Sequence, residues 1–432
     1  MSSSTLSPAR STERGLGRSY WYLWWAALIS GAGDGVRSGA LPLVAAALSR
    51  RPEAVASVWF AGGLPFVLVG PFTGVLTDRW RDRRRVLRGC DLVSAVLVAV
   101  FAALVADGAA DIALLVGLNF LLGSVQTLRD NAALAVIPEV VPVERLDAAN
   151  GRVQGAQMLT IDLLGPPAGA LLVALPAGVP FLLDSASFAA AAVLVSGLAA
   201  SSVAVSAATR GARRRAAATA MSAAPVQAPD GTTASGILGE VADGLRWLWR
   251  HRLLRTLCLL VGVSGMAVTT VVSIAVLYAL QVLHVGRDMY AVLLAVVATG
   301  GVAGALLAPA LSARLGRGAV LRIAFALGPP AFLAAAVTST PLVAALALTG
   351  VGAAVGLTNV VTVSLRQSLV PAELRGRVNA SYRLVAVGLT PVGAVLGGLL
   401  AEFWGLRTPL FAGAVLFAVG LLVALRLDTE QP

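Results

Sequence analysis

The sequence predicts an all-α polytopic membrane protein, with twelve transmembrane helices in two six-helix, pseudo-symmetric bundles. Three observations predict it. First, 57% of the 432 residues are hydrophobic and only 13% are charged, about half the charge of an ordinary soluble domain. Second, apolar stretches long enough to cross a hydrocarbon core of about 30 Å recur to the end of the chain. They fall as six, a polar linker, and six. Third, 27 of the 33 basic residues, all arginine, flank alternate ends of these spans, and 4 lie on the other side. That bias puts both termini in the cytoplasm of a multi-pass plasma-membrane protein.

Residues 1–20 hold arginines and serines but no apolar core, so they read as a cytosolic tail and not as a cleaved leader. The first bundle covers 21–200. Its spans run from about Trp21 to Leu48, Ala54 to Thr77, Val86 to Ala106, Ile112 to Ile137, Gly151 to Leu175 and Pro180 to Ala200. Trp21, Tyr22, Trp24 and Trp25 form an interfacial aromatic anchor for the first. Residues 201–252 form a cytosolic linker. Ser201–Ser235, rich in Ala, Ser, Thr, Pro and Arg, reads as disordered. From 236 to 250, Ile237, Leu238, Val241, Leu245, Leu248 and Trp249 recur at helical spacing, with Glu240, Asp243, Arg246 and Arg250 on the other face. This is an amphipathic helix lying on the membrane. The second bundle, 253–425, has spans at about Leu253–Leu283, Met289–Leu311, Ala319–Thr338, Pro341–Leu365, Ala380–Phe403 and Pro409–Leu425, and 426–432 is a short cytosolic tail.

The net charge of +11 does not imply nucleic acid, because the arginines are clustered between apolar spans and not along a soluble face. Cys90 and Cys258 have neither metal-ligand spacing nor support for a disulfide, and they read as packed small side chains. Gly31-Ala32-Gly33-Asp34-Gly35 is not a phosphate loop, since no strand precedes it and no Lys-Ser/Thr follows. No cofactor, metal or enzymatic chemistry is expected. The partners expected are the lipid bilayer, protons and a small-molecule substrate, and the chain is expected to act as a monomer.

The halves echo each other. Pro142-Val143-Glu144-Arg145 through Asn150, followed by Gly165-Pro166, returns as Pro371-Ala372-Glu373-Leu374-Arg375 through Asn379, followed by Thr390-Pro391-Val392-Gly393. Repeated six-span halves are the pattern of a transporter whose substrate site lies between them near the bilayer midplane.

Charges inside the spans are the strongest local signal. Asp34 and Arg37 are three residues apart in span one and share a face. Arg129 and Asp130 lie in the inner half of span four, Asp162 is in the middle of five, and Asp184 is near the outer end of six. Each would cost about 2.5–3.5 kcal/mol facing lipid at the bilayer centre. They must pair, face the interior or line water. Either they are a structural ion-pair network, with Arg37 and Arg129 as charge partners, or Asp34, and after it Asp162 and Asp130, take up and release protons. The second half is almost free of such charges, and its candidates for a cavity wall are Tyr278, Asn359, Thr362 and Tyr382, with Ser273 and Ser381, and Arg383 near the inner end. That asymmetry predicts proton coupling in the first half and mostly apolar substrate contact in the second. The small-xxx-small pairs Gly165/Gly169, Gly300/Gly304 and Gly393/Gly397 are either ordinary packing or sliding seams where span five meets eight and two meets eleven. Pro166 should kink span five.

Gly70-x-x-x-Gly74-x-x-x-Asp78-Arg79, followed by the arginines through Arg83, Arg84 and Arg85, resembles the loop between helices two and three of the major facilitator superfamily. The resemblance implies a cytoplasmic gate at Gly70, Gly74, Asp78, Arg79, Arg83 and Arg84. Gly165-Pro166-x-x-Gly169 is similar to the span-five signature of drug–proton antiporters. With the Gly-Asp-Gly of span one, Leu64-Pro65 and Asp147-Ala148-Ala149-Asn150, the chain resembles the enterobactin-exporter-like branch. The resemblance implies a rocker-switch secondary transporter, driven by protons, that exports a small amphipathic molecule such as a drug, antibiotic or siderophore. A proton-symport importer of a nutrient, and a membrane sensor without transport, are the alternatives.

Overall fold

A computed structural model describes residues 16–70, 72–73, 82–141, 145–176, 178–198, 245–370 and 375–426. Gly74, Asp78 and Arg79 of the expected gate, the linker 201–235 and the amphipathic helix before Leu245 lie outside these residues.

The described residues form helices and short connections, with no strand. We number twelve: α1 Arg18–Leu48, α2 Pro52–Leu68, α3 Arg83–Ala106, α4 Ile112–Val140, α5 Leu146–Leu172, α6 Val179–Leu198, α7 Arg252–Val272, α8 Arg287–Leu315, α9 Arg317–Val337, α10 Pro341–Leu369, α11 Arg375–Trp404 and α12 Thr408–Leu425. Nine of these are long and apolar enough to cross a membrane by length and composition. The other three have visible reasons for falling short: α1 carries charges, the described part of α2 is brief, and α5 is interrupted.

The interruption in α5 is a π-helical stretch, Met158–Leu164. It directly precedes Gly165, Pro166 and Pro167. Two consecutive prolines supply no N–H donor, so the carbonyls of the preceding turn lose their usual partners and the ladder re-registers. Pro166 is thus preceded by a widened turn that contains Asp162. In α4 the helix passes Ile137, where the span is read to end, and continues through Pro138 to Val140. α7 breaks after Val272 and resumes as Ala275–Leu277 and a π turn, Tyr278–Val282.

The small-residue pairs work inside each bundle. Gly31, Gly35, Gly39, Gly165 and Gly169 form the α1–α5 contact: a Cβ on Gly35 would meet Gly165, and one on Gly169 would overlap the Val36 carbonyl. The second bundle repeats this between α7 and α11, where Gly393 lies on Met266 and Gly397 on Thr270. Gly300 and Gly304 of α8 lie on Thr349 and Ala353 of α10, as Gly123 of α4 lies on Gly62 of α2. The seam reading of these pairs is therefore corrected. Helices five and eight do meet, as do two and eleven, but through other residues. Gly169→Leu is expected to cost about 1–3 kcal/mol through overpacking, read as a lower thermal unfolding midpoint in detergent. An unchanged midpoint would mean that α1 and α5 are not so close.

Between the bundles, α2 runs along α11. Gly398 lies against Pro52, Glu53 and Ala56, Pro391 lies on Gly63, Gly388 on Val67, and the Arg383 guanidinium stands 5.2 Å over the Phe66 ring. Pro391 thus contacts α2 across the bundles, whereas Gly393 packs on α7 within its own bundle. Arg51, paired with Glu53, also lies 3.8 Å from Glu402 across the arginine-poor end. The Gly165–Leu172 part of α5 packs on α8, while Leu146–Gln157 packs on α1 and α4. The α5–α8 contact therefore closes toward the arginine-poor end.

Candidate functional site

α1 carries the site because its glycines let neighbours approach. Gly33 has no room for a Cβ, since Ser187 and Asp184 of α6 occupy that space. Asp184 can therefore reach the charged face of α1. Arg37 donates from Nη2 to Asp34 Oδ1 at 2.6 Å and from Nε to Asp184 Oδ2 at 2.9 Å. It also donates from Nη1 to Asn119 Oδ1 of α4 at 3.3 Å. Asp184 is fully buried and Asp34 is 8% exposed. Each acid keeps one buried oxygen, Oδ2 of Asp34 and Oδ1 of Asp184, without a hydrogen-bond partner among the described residues.

The charge balance of this cluster matters. Two carboxylates face one guanidinium, so with both ionised the group carries a net −1 inside the bundle. A buried, uncompensated charge is costly, and protonation removes it.

One turn along α1 lies a second cluster. Arg129 of α4 donates to Asp91 Oδ1 of α3 at 2.5 Å and to Ser30 Oγ at 2.6 Å. Ser30 and Asp34 are four residues apart, so the two clusters stack along one face of α1. Here one base meets one acid, and the pair is neutral. The sequence reading placed Arg129 beside Asp130. The structure instead turns Arg129 to Asp91, an acid one turn inside span three that the reading missed, and leaves Asp130 half-buried without an ion pair among the described residues.

A cavity of about 400 Å³ lies between the bundles. Arg37, Trp59, Asn119, Gln126 and Phe188 line it from the first bundle, and Thr269 and Thr390 from the second, with Gly62, Gly63, Leu122 and Gly123. Arg37 belongs both to the cluster and to the cavity wall. The lining offers two aromatic faces, two amides and two hydroxyls, the mix of apolar body and few polar groups usual for a small-molecule pocket.

Other expected residues fall elsewhere. Asp162 is exposed on α5, apart from the cluster. Tyr278 is buried, with its hydroxyl on the Ala335 carbonyl. Tyr382 is also buried, donating to the Leu257 carbonyl with Arg366 4.3 Å over its ring. Thr362 is buried and donates to Thr358, and Asn359 is exposed. None of these four lines the cavity; the second bundle contributes Thr269 and Thr390 to it instead. Of the described gate residues, Gly70 lies 3.7 Å, measured from an added Cβ, from Thr127. Arg83 reaches Glu139 and Arg84 the Leu198 carbonyl, fastening the start of α3 to α4 and α6.

The family model for the Major Facilitator Superfamily matches residues 23–389 and 257–432. A relative in Mycobacterium tuberculosis, described as an uncharacterised MFS-type transporter, is 35% identical over 137 residues, and the match spans 30% of each chain. A multidrug efflux pump, Tap, of Mycolicibacterium fortuitum is 27% identical over 395 residues, 90% of each chain. Among solved structures, a variant of the nucleoside transporter NupG has a TM-score of 0.70 at 11% identity, covering 94% of this chain and 99% of its own. A bacterial homologue of the iron transporter ferroportin, in an inward-facing state, scores 0.67 at 18% identity, covering 95% and 98%. At these identities the structures speak for the fold alone.

Proposed function

This chain belongs to the major facilitator superfamily, and from that premise we propose that it exports a small amphipathic molecule against an inward flow of protons. One observation carries the reading. The Asp34–Arg37–Asp184 cluster holds one acid more than it holds base, is buried, and opens through Arg37 onto the cavity between the bundles. A proton on either carboxylate neutralises the cluster, and its loss restores a charge that the interior disfavours. Each proton exchanged thus changes how firmly Arg37 is held, at the wall where cargo would sit. Cargo and proton then bias the same two-state movement of the bundles. Trp59 and Phe188 suit an apolar or aromatic body, and Asn119, Gln126, Thr269 and Thr390 suit a few hydrogen-bonding groups. The likeness to a multidrug efflux pump over nine-tenths of the chain supports outward transport.

The test is transport in proteoliposomes with an imposed pH gradient, using a panel of fluorescent dyes. Asp34→Asn and Asp184→Asn are each expected to lower gradient-driven accumulation by roughly 5–150-fold, the span of ordinary coupling energies of about 1–3 kcal/mol. Dye counterflow without a gradient should persist. Undiminished gradient-driven accumulation in both variants would sink the coupling role. Proton-driven movement of dye in the same direction as the proton would replace export by symport.

A further inference from the structure

Resting on that proton-coupled reading, we propose that Asn119 is the positioning residue that passes the charge state of the Asp34–Arg37–Asp184 cluster to α2, and through α2 to the seam with α11. Its side chain stands between the two. Oδ1 accepts from Arg37 Nη1 at 3.3 Å, and Nδ2 donates to the Val58 carbonyl of α2 at 2.8 Å. The amide orientation is dictated by its neighbours: a guanidinium can only donate and a carbonyl can only accept. A shift of Arg37 therefore pulls on a group whose other end grips the α2 backbone.

α2 is placed to relay that pull. Its Gly62 faces Asn119, leaving only 3.2 Å from an added Cβ to Nδ2, and Trp59 beside Val58 lines the cavity. On the adjoining face, Gly63 meets Pro391 of α11, with 2.9 Å from an added Cβ to Pro391 Cγ. Such close contacts have little slack, so α2 moves as a body between α4 and α11.

The charged groups around the cluster are few. Arg37 and the two acids form it. Along α1 stand Asp91 of α3 and Arg129 and Asp130 of α4, and Asp162 is exposed on α5. α2 has no ionisable side chain after Glu53, and α7 has none between Leu259 and Val272. Arg383 of α11 rests over Phe66. Asn119 is thus the uncharged link from the cluster to the helix that carries the seam.

The experiment uses the full chain with spin labels at Ala109→Cys and Thr340→Cys, one on each bundle at the arginine-poor end. Two readouts are followed across pH: the label-to-label distance and the infrared stretch of protonated carboxyl groups. In the otherwise unaltered protein both should change together. In Asn119→Leu the carboxyl band should still titrate while most of the distance change is lost, and Asn119→Gln should restore it. Asn119→Ser serves if the leucine variant does not fold. Distance and band staying locked together in the variant would overturn the relay while leaving proton coupling intact. Loss of both would place Asn119 in the proton site itself and overturn it too. A carboxyl band that does not titrate in the unaltered protein would end the proton-coupled reading, and the relay with it.

Discussion

Replacing Arg129 with leucine is expected to cost about 3–5 kcal/mol of stability, because it strands the Asp91 carboxylate in the interior. Asp91 is fully buried and its Oδ2 already lacks a partner, so nothing stands ready to take over from the guanidinium. Ser30 would remain, but its hydroxyl already donates to the Ala26 carbonyl. The double variant Arg129→Leu with Asp91→Leu should recover most of the loss, since removing both partners also removes the desolvation penalty of each. Thermal unfolding in detergent checks both. A single variant as stable as the parent would mean that water reaches Asp91, and the second cluster would then not be a buried, neutral pair.

Most of the fold was legible from the chain because lipid imposes a simple rule. Every span must be long, apolar and helical, and arginines stay on one side. The twelve helices follow those stretches to within a few residues at most ends. The larger departures have local causes. The α5 helix starts at Leu146, five residues before the reading from Gly151, because polarity at Asp147, Asn150 and Arg152 hides a helix whose carbonyls receive Tyr20 and Trp24 of α1. Pro138 did not stop α4, since it sits in the last turn, where it removes one backbone bond and only Glu139 and Val140 follow.

The site was legible only in part, and the reason is rotational. A helix packed among apolar helices and lipid is hydrophobic all round, so periodicity does not say which face meets a cavity. Charge does, because it cannot face lipid, and Asp34 and Arg37 were found that way. Asp184 was noticed without its partner, which comes from another helix 147 residues away in sequence. Asp91 could have been found by the same rule, but the arginines just before it make it look like part of the loop. Tyr278 and Tyr382 looked like cavity residues because they are polar, yet a tyrosine hydroxyl is as well served by a carbonyl between helices. Trp59, Phe188 and Thr269 carried no signal that distinguishes them from their neighbours, and Thr390 showed only as part of the repeat between the halves. The glycine pairs were visible, but spacing alone cannot tell a partner within a bundle from one across it.

The two clusters on α1 should respond in opposite ways to losing an acid. Asp91 balances Arg129 one to one, so Asp91→Asn leaves a buried guanidinium without its ion-pair partner and should destabilise by an amount in the same range of about 3–5 kcal/mol. Asp184→Asn does something different. It leaves Asp34 and Arg37 as a neutral pair at 2.6 Å and removes the excess charge, so stability should be kept or raised. Arg37→Leu is the opposite limit, because it abandons two carboxylates at once. Its loss should equal or exceed the roughly 3–5 kcal/mol of a single broken buried pair. Measured side by side in detergent, the expected order of unfolding midpoints is Asp184→Asn highest, Asp91→Asn lower, Arg37→Leu lowest. If Asp184→Asn fell as far as Arg37→Leu, the cluster would be a balanced structural pair, and its surplus acid could not be what trades protons against cargo. If the order holds, the same substitution that makes the protein sturdier is the one that uncouples it, as expected where stability has been given up for a charge that must come and go.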